Sequence, residues 1–316
     1  MGKALYVGID VGGTTVKPGV FTAEGELLGK SAVPTPPLLD ETGFAAVTGG
    51  IDDLLASLSL TAVDVRGMGL AVPCPIPADG RVAVMANIKL DLLALAQALR
   101  AHYPDAAVTY NNDANAAAMG ELWQGSAAGK ASCVMVTLGT GVGGGVIIDG
   151  HVASGANGAA GEIGHMCVNP AEPLACGCGR HGCLEQYTSA RGVVRLYREV
   201  CARRGVAGVE VKHDTDTLSV FEAYKAGDEA AREAVSTMCD KLGLGLSIVA
   251  CTVDPDEFVI GGGVSGAFDL FADELTERYR HYALACSADA PISVSRLGND
   301  AGIYGAAYLG LLAANE

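Results

Sequence analysis

The stretch from Ala4 to Lys17 reads Ala-Leu-Tyr-Val-Gly-Ile-Asp-Val-Gly-Gly-Thr-Thr-Val-Lys. Residues 4–9 are almost uniformly apolar, as expected for a buried strand that ends at Asp10. The two glycines that follow favour a tight turn, after which the chain returns as a second strand near residues 16–22. A further turn at residues 24–26 leads into a third strand. The chain is therefore predicted to begin with consecutive hairpins.

The turn after the first strand has the composition of a phosphate-binding loop. Two consecutive glycines let backbone N–H groups approach phosphate oxygens without a side chain in the way, and two threonine hydroxyls and a lysine follow. The preceding aspartate is suited to hold a magnesium-bound water. The spacing is not that of a Walker A loop, and an ordinary tight hairpin explains this segment equally well. The candidate residues are Asp10, Gly12, Gly13, Thr14, Thr15 and Lys17.

A similar strand–turn–strand pattern recurs later in the chain. A predicted strand at residues 132–138 ends in Gly139-Thr140-Gly141 and is followed by a strand at 145–149. Two similar α/β halves, each presenting a glycine turn to a cleft, would explain this repetition, and the second turn then becomes a candidate for binding outer phosphates. A third run, Gly261-Gly262-Gly263, follows a strand at 257–260. It permits close approach of an adenosine, although a simple strand-to-helix turn has the same composition.

The size and charge of the chain limit the classes of protein to consider. The 316 residues suggest two domains. Lysine and arginine number 21 against 36 acidic residues, which gives a formal charge of 21 − 36 = −15. This charge disfavours binding to nucleic acid and to anionic membranes. Without a signal-type segment or a transmembrane-length apolar run, we expect a cytoplasmic protein, in which the ten cysteines are free thiols or metal ligands.

Asn112 and Asp113 lie where a predicted strand at residues 107–110 gives way to a predicted helix at 114–122. Polar residues at such junctions of α/β proteins often bind ligands or take part in catalysis. An aspartate that accepts the proton of a hydroxyl, next to an asparagine that orients this hydroxyl, suits phosphoryl transfer. Considered alone, however, the segment favours an N-cap at Asp113 as its explanation.

The predicted elements suggest a domain boundary at this same junction. A smaller α/β domain would comprise residues 1–112 together with an apolar C-terminal helix at about residues 301–316, which is expected to fold back onto it. A larger α/β domain would comprise residues 113–300 and contain a cluster of cysteines.

The cysteine cluster has the composition of a zinc site. Structural zinc takes four nitrogen or sulfur ligands in a tetrahedron, and one histidine with three cysteines supplies that number. His165 is the favoured histidine because it shares its turn with Glu162, and His181 is its rival. The alternative to a zinc site is a metal-free group of buried thiols. Glu162 and Glu185 flank the cluster and are suited to bind a polyhydroxyl ligand. The expected zinc ligands are His165, Cys176, Cys178 and Cys183.

Taken together and in this order, these segments resemble the ROK family of bacterial sugar kinases and sugar-responsive repressors, within the actin/hexokinase-like ATPase superfamily. The resemblance extends essentially from end to end of the chain. It implies two actin-like (ribonuclease H-like) α/β domains flanking a cleft, with ATP and Mg²⁺ on one side and a pyranose on the other. It is carried by residues 10–17, Asn112-Asp113-Ala114-Asn115, Gly139-Thr140-Gly141, Glu162-x-Gly164-His165 and Cys176-x-Cys178-Gly179-x-x-Gly182-Cys183-x-Glu185.

The resemblance also implies a role for each candidate residue. Asp113 is expected to be the general base, and the three glycine-rich segments are expected to bind ATP. One ring nitrogen of His165 would bind zinc and the other the sugar, so that zinc is structural and takes no part in the chemical step. The residues expected to bind the sugar are Asn87, Asn112, Asp113, Glu162, His165 and Glu185.

Two segments depart from the pattern of the family. Pro73-Cys74 stands where the family has Pro-Gly, and residues 86–91 read Ala-Asn-Ile-Lys-Leu-Asp where the family has Pro-Asn-Leu-x-x-Trp. The resemblance implies that Asn87 keeps its polar contact, whereas Cys74 and the missing tryptophan are expected to change the shape of the sugar pocket.

We therefore expect an ATP-dependent hexokinase that phosphorylates the 6-hydroxyl of a hexose, with glucokinase activity favoured. Kinases for N-acetylmannosamine, N-acetylglucosamine, allose or fructose are alternatives of the same class. A sugar-sensing transcriptional regulator is an alternative of another class, but its helix-turn-helix domain would have no room ahead of a strand that begins at residue 4. The expected cofactors are structural Zn²⁺ and Mg²⁺ with ATP, and the family suggests a homodimer or homotetramer.

Overall fold

The computed structural model of the protein describes residues 4–77 and 88–316. The described residues form two compact units. The first takes its residues from Met1–Ala131, Gly145–Ala160 and Arg296–Glu316, and the second from Ser132–Gly144 and Gly161–Ser295. The sequence-based boundary after residue 112 differs from this division. In the structure, the helix that begins at Asp113 belongs to the first unit because it packs against the C-terminal helix.

The described residues contain both strands and helices, which confirms the predicted α/β class. The strands are β1 (Leu5–Val11), β2 (Thr15–Thr22), β3 (Leu27–Lys30), β4 (Val33–Pro34), β5 (Val65–Val72), β6 (Ala107–Asn112), β7 (Cys133–Leu138), β8 (Val142–Ile148), β9 (His151–Val152), β10 (Glu257–Gly261) and β11 (Ile292–Val294). The α-helices are α1 (Glu41–Ser57), α2 (Leu92–His102), α3 (Asp113–Gln124), α4 (Glu185–Thr188), α5 (Ala190–Arg204), α6 (Thr217–Lys225), α7 (Glu229–Val253), α8 (Ala272–Tyr282) and α9 (Ala301–Asn315).

The sheet of the first unit has the strand order β3-β2-β1-β5-β6, with β4 also paired to β2. β1 and β2 form the predicted antiparallel hairpin, whereas β1, β5 and β6 are parallel. Parallel neighbours place their carboxyl ends at one edge of a sheet. The ends of β1 and β6, which carry Asp10 and Asn112, therefore share that edge.

Alternate residues of β1 face the two helical layers of the first unit, as the period of a strand requires. Val7 and Ile9 are fully buried in a large aliphatic core with residues of α1 and α2. Tyr6 lies on the other face, in a cluster with Ile303 and Ala307 of α9. The C-terminal helix thus completes the core of the N-terminal sheet.

The packing of α9 on this sheet depends on glycines. A Cβ atom at Gly8 would lie 1.8 Å from the carbonyl oxygen of Ile303, and one at Gly69 would lie 1.9 Å from that of Ala306. Any side chain at these positions would force the helix away from the sheet. Because glycines take these positions on β1 and β5, the backbone of α9 approaches both strands directly.

The second unit contains β7, β10 and β11 of a sheet with the order β11-β10-β7-β8-β9. Its longest helix, α7, packs against α5 and α8. α7 is long and apolar enough to cross a membrane by length and composition alone, but 61% of its most apolar window is buried inside the protein. Core helices of globular proteins have the same character.

The helical segment that begins at Glu185 is interrupted in the structure. Ser189 adopts an extended backbone conformation between α4 and α5, and its hydroxyl accepts a hydrogen bond from Gly192 N at 3.1 Å. Serine is among the preferred N-cap residues because its oxygen satisfies a free amide of the first turn. The interruption separates the short helix that carries Glu185 from α5.

Candidate active site

The hairpin between β1 and β2 presents the first glycine turn. Asp10 and Lys17 are direct partners across the two strands, and their charged groups lie 3.4 Å apart. Gly12 N donates to Thr15 O at 3.0 Å and closes the turn, while Gly13 and Thr14 are exposed at its tip. The hairpin therefore places a lysine charge and open backbone next to each other, which suits binding of a phosphate group.

Thr35 holds this turn from outside, and the sequence did not single it out. Its hydroxyl donates to Gly12 O at 2.7 Å, and its backbone N donates to Thr14 O at 3.0 Å. With these two carbonyls bound, the turn has a fixed shape. Its position in Pro34-Thr35-Pro36-Pro37, a threonine fixed between prolines, was the available signal for such a role.

Asn112, rather than Asp113, is the N-cap of α3, which corrects the expectation from the sequence. Its side-chain oxygen accepts from Ala114 N at 2.9 Å and from Asn115 N at 3.2 Å. Its Nδ2 donates to Cys74 O at 3.2 Å and ties the helix start to the loop after β5. Because Asn112 takes the capping role, Asp113 remains as an exposed residue of the first helical turn, with Oδ1 accepting from Ala114 N at 2.8 Å.

The electrostatic environment of Asp113 favours its protonated form. Loss of hydration against the surrounding protein raises the pKa of this carboxyl, and the negative charge of Asp10 raises it further, although the amide of Ala114 opposes the shift. Burial likewise raises the pKa of Asp10, against the effect of Lys17. Burial and the charge of Asp113 raise the pKa of the nearby Cys74 thiol to about 11. A carboxylate whose pKa is raised above that of an ordinary aspartate is a better proton acceptor.

The two glycine segments of the second unit lie against each other. Gly262 has φ +83°, and a Cβ atom there would lie within 2.6–2.7 Å of the backbone of Leu138, so that only glycine fits. The turn after Leu138 is closed by a hydrogen bond from Gly139 N to Gly141 O at 2.9 Å. The structure thus brings the predicted segments at residues 139–141 and 261–263 together.

Glu185 is attached to this same turn. Its Oε2 accepts from Val142 N at 2.9 Å, and a Cβ atom at Gly141 would lie 2.4 Å from it. Its Oε1 lies 3.7 Å from the sulfur of Cys176. The sequence predicted Glu185 as a ligand of a polyhydroxyl compound; its contact with the glycine turn was not foreseen.

The four predicted zinc ligands form one cluster. Their donor atoms all lie within 4.8 Å of one another, with 3.6 Å between the sulfurs of Cys178 and Cys183 and 3.9 Å between Cys176 Sγ and His165 Nδ1. Donor atoms at the corners of a tetrahedral zinc site lie about 3.5–3.8 Å apart. The residues therefore fit a structural zinc ion in number, type and spacing.

The local chemistry of the cluster also favours His165 over His181 as the histidine ligand. His181 Nδ1 lies 3.1 Å from the carbonyl oxygen of Glu172, and His181 is not part of the cluster.

Hydrogen bonds from the backbone and side chain of Arg180 lower the pKa of Cys178 to about 6, which favours the thiolate that binds metals. Burial and a hydrogen bond with Cys178 raise the pKa of Cys183 to about 12.

A polar network supports the loop that carries the cysteines. Glu172 Oε2 accepts from Tyr187 OH at 2.5 Å and lies 3.5 Å from a guanidinium nitrogen of Arg195. The other carboxylate oxygen accepts from Leu174 N at 3.1 Å. The tyrosine hydroxyl and Arg195 lower the pKa of Glu172 against the effect of its burial. These contacts attach the loop to α4 through Tyr187 and to α5 through Arg195.

The turn that contains His165 leaves two groups available for a ligand. Gly161, with φ +93°, permits the sharp turn that projects Glu162 to the surface. Nδ1 of His165 faces Cys176, and the opposite ring nitrogen, which makes no hydrogen bond to the described residues, can bind a second partner. Asn87, also predicted to bind the sugar, lies outside the described residues.

Comparison with known proteins agrees with the resemblance on which these expectations rest. The family model described as the ROK family matches residues 6–312. The chain belongs to the ROK family. This membership, together with the match to a solved ROK structure described next, establishes that the chain has the actin-like ATPase fold.

Relatives within the ROK family include more than one kind of kinase. A glucokinase of Halalkalibacterium halodurans is 36% identical, with 98% of this chain and 96% of that protein covered. An N-acetyl-D-glucosamine kinase of Vibrio vulnificus is 33% identical, with 97% and 99% covered. Among solved structures, a ROK family glucokinase from Streptomyces griseus in complex with glucose and AMPPNP has a TM-score of 0.74 at 31% identity, with 97% and 99% covered.

Proposed function

We propose that the protein is an ATP-dependent hexokinase that transfers a phosphoryl group to the 6-hydroxyl of a hexose, with glucose as the favoured substrate. The observation that carries the proposal is the environment of Asp113. Asp113 lies in the first turn of α3, loss of hydration raises the pKa of its carboxyl, and its neighbour Asn112 is fixed by helix capping. The glucokinase relatives, one of them solved with glucose and a nucleotide analogue, support the choice of reaction and sugar.

In this proposal the oxygen of the sugar's 6-hydroxyl attacks the γ-phosphorus of ATP while Asp113 accepts the proton of that hydroxyl. The bond between the γ-phosphorus and the β–γ bridging oxygen breaks, and ADP leaves. Asn112 orients the hydroxyl, and its own position is fixed by the amides of α3. The residues proposed to hold the other hydroxyls are Asn87, Glu162, His165 and Glu185. Side chains that fix the sugar in one orientation contribute to the rate because the reacting oxygen then stays aligned with the phosphorus.

The proposed nucleotide-binding groups are the glycine segments and Lys17. Backbone amides of the two turns would bind phosphate oxygens, and Lys17 would stabilise the charge on the transferred group. The run Gly261-Gly262-Gly263 would lie against the adenosine. Mg²⁺ bound with ATP neutralises phosphate charge, and the carboxylate of Asp10 suits a water of its hydration shell.

We propose a structural role for zinc. His165, Cys176, Cys178 and Cys183 would hold the ion and so fix the orientation of the His165 ring. No step of phosphoryl transfer needs it.

N-Acetylglucosamine is a second candidate substrate, which the Vibrio vulnificus relative favours. Cys74 lies in the loop after β5, where the family has glycine. The backbone carbonyl of Cys74 accepts a hydrogen bond from Asn112 Nδ2. A side chain here changes the space next to the sugar-binding asparagine. Side-by-side comparison of the two sugars distinguishes the candidates.

The experiment that tests the proposal measures ADP release from ATP and Mg²⁺ with glucose, N-acetylglucosamine, N-acetylmannosamine, allose and fructose, with zinc content determined on the same sample. Turnover that is highest with glucose supports the proposal. Preference for another hexose corrects the substrate and retains the mechanism. Absence of turnover with every sugar, in protein with a full zinc complement, would reject the enzyme assignment and favour a sugar-sensing role, which binding to duplex DNA would then test.

A further inference from the structure

The carboxylate of Glu185 contacts two parts of the second unit that have separate proposed roles. One oxygen accepts from Val142 N at 2.9 Å, at the end of the glycine turn. The other lies 3.7 Å from Cys176 Sγ in the cysteine cluster. Cys183, a further member of that cluster, precedes Glu185 by two residues. A residue needed only to bind a sugar hydroxyl would not require either contact.

The segment that contains Glu185 holds the turn at both ends. Ala190 N, at the start of α5, donates to Gly139 O at 2.8 Å, while Glu185 binds the amide of Val142. Between these attachments, the Cα atom of Gly141 is packed so closely on the carboxylate that a Cβ would lie 2.4 Å from Oε2. The turn therefore takes its shape from residues 185–190 as well as from its own closing hydrogen bond.

Some backbone amides of this turn are hydrogen-bonded within the protein and others are not, and this difference indicates the role of the turn. The amides of Gly139 and Val142 are bound within the protein, to Gly141 O and to Glu185. The amides of Thr140 and Gly141 donate to no acceptor among the described residues. Backbone amides in a glycine turn that are left without a protein acceptor are the groups that bind phosphate oxygens in such turns.

We propose that Glu185 is a positioning residue for the nucleotide, which holds the turn Leu138–Val142 in its phosphate-binding shape and links it to the cysteine cluster. This inference rests on the proposed function, because phosphate binding by the turn is part of that proposal. It adds that the cluster supports nucleotide binding through Glu185, in addition to the support of the sugar site proposed above. The carboxylate acts through Val142 and Gly141 and does not itself touch the nucleotide.

The test measures the affinity of the magnesium complex of AMP-PNP by calorimetry in the absence of sugar, so that any role of Glu185 toward a hexose does not contribute. Glu185→Ala removes the acceptor for Val142 N and is expected to weaken binding about tenfold, since a hydrogen bond to a charged group stabilises the shape of the turn and only part of that stabilisation reaches the ligand. Glu185→Gln keeps an oxygen of the same reach and is expected to bind within about twofold of the wild type.

Glu199→Ala is the matched control, because Glu199 is an exposed glutamate on α5 that pairs only with Arg195 among the described residues. It is expected to leave nucleotide affinity unchanged. Equal affinity of the wild type and Glu185→Ala would overturn the inference. Equal losses in Glu185→Ala and Glu185→Gln would overturn the assignment to the hydrogen bond with Val142.

A second variant keeps the test decisive if Glu185→Ala folds poorly. Gly141→Ala introduces a Cβ that displaces the Glu185 carboxylate, and it is expected to weaken nucleotide binding by a similar factor. In the double variant the two losses are expected not to add, because both remove the same contact. Additive losses would contradict the proposal and assign Gly141 an effect of its own.

Removal of the metal provides the last arm of the experiment. Chelation of zinc from the wild type is expected to weaken AMP-PNP binding, whereas chelation of Glu185→Ala is expected to have little further effect. Full nucleotide affinity in metal-free wild-type protein would overturn the link to the cluster. Failure of the proposed function is recognised separately, by wild-type protein that binds the nucleotide and phosphorylates no hexose.

Discussion

Asp113 is the residue on which the proposed reaction depends most directly. Substitution by asparagine preserves its size and its place in the first turn of α3 but removes the proton acceptor. We expect Asp113→Asn to lower kcat by roughly 10²–10⁴-fold, the usual contribution of a general base. Hexose affinity, measured by calorimetry, should remain within a few-fold of the wild type. Turnover close to that of the wild type would show that another group accepts the proton.

The pH dependence of activity follows from the raised pKa of Asp113. The base must be ionised, so kcat/KM should fall as the pH decreases through this pKa, in a range above that of an ordinary aspartate. The raised pKa is due first to loss of hydration of the carboxyl against the surrounding protein and then in part to the charge of Asp10. In Asp10→Asn the acid limb should therefore move to lower pH. A limb that stays in place would mean that another group titrates.

At the level of elements, a strand, turn or helix cap can be predicted when the residues that determine it are neighbours in the sequence. The hairpin at residues 4–22 was predictable because its apolar run, two glycines and second strand are adjacent in sequence. The N-cap of α3 was assigned to Asp113, one residue too late, because both Asn112 and Asp113 are good capping residues and only the backbone conformation distinguishes them.

Individual side-chain contacts between distant segments were not predicted from the sequence. The contact of Thr35 with the first turn and that of Glu185 with Val142 join residues far apart in sequence. The same holds for Glu121, whose fully buried carboxylate accepts from the backbone amides of Ser126, Arg296 and Leu297. A buried carboxylate surrounded by amide donors has no local signature in the sequence.

The close packing of α9 leads to a prediction about helix stability. Gly305 would place a Cβ atom 1.6 Å from Ala116 O of α3. Alanine is the better helix former, but here the clash dominates, and Gly305→Ala should lower the free energy of unfolding by about 2–3 kcal/mol. The control is Gly49→Ala in α1, where a Cβ meets no atom within 4 Å. That variant should be neutral or stabilised by up to ~1 kcal/mol in urea unfolding, and the opposite order would contradict the packing argument.

The cysteine loop allows a direct test of the metal ligands. We expect His165→Ala to lose stoichiometric zinc, measured by elemental analysis after dialysis, because it removes one of four donors. His181→Ala, which removes a histidine only a few residues from Cys178, should retain it. The reverse result would assign the metal to His181. Full zinc in both variants would mean that the cysteines suffice.

At the scale of the whole molecule, the first unit combines segments from both ends of the described chain. β1 and β5 are covered on one face by α9, whose residues follow the whole of the second unit in sequence. Truncation after residue 300 should therefore expose Tyr6 and Phe21, which α9 covers, and the amides of β1 should lose protection in hydrogen exchange. Amides of α7 in the second unit provide the internal reference. Unchanged protection of β1 would show that the sheet is stable without its helix.

The place of α9 in the sequence also has a consequence for synthesis on the ribosome. The strands of the first unit emerge early, but the helix that covers one of their faces is translated only after Asp300. At about 5–20 residues per second, the uncovered face waits tens of seconds for its partner. The part of the protein that is made first is thus the last to be completed, and its apolar face is the surface that a chaperone would meet on the nascent chain.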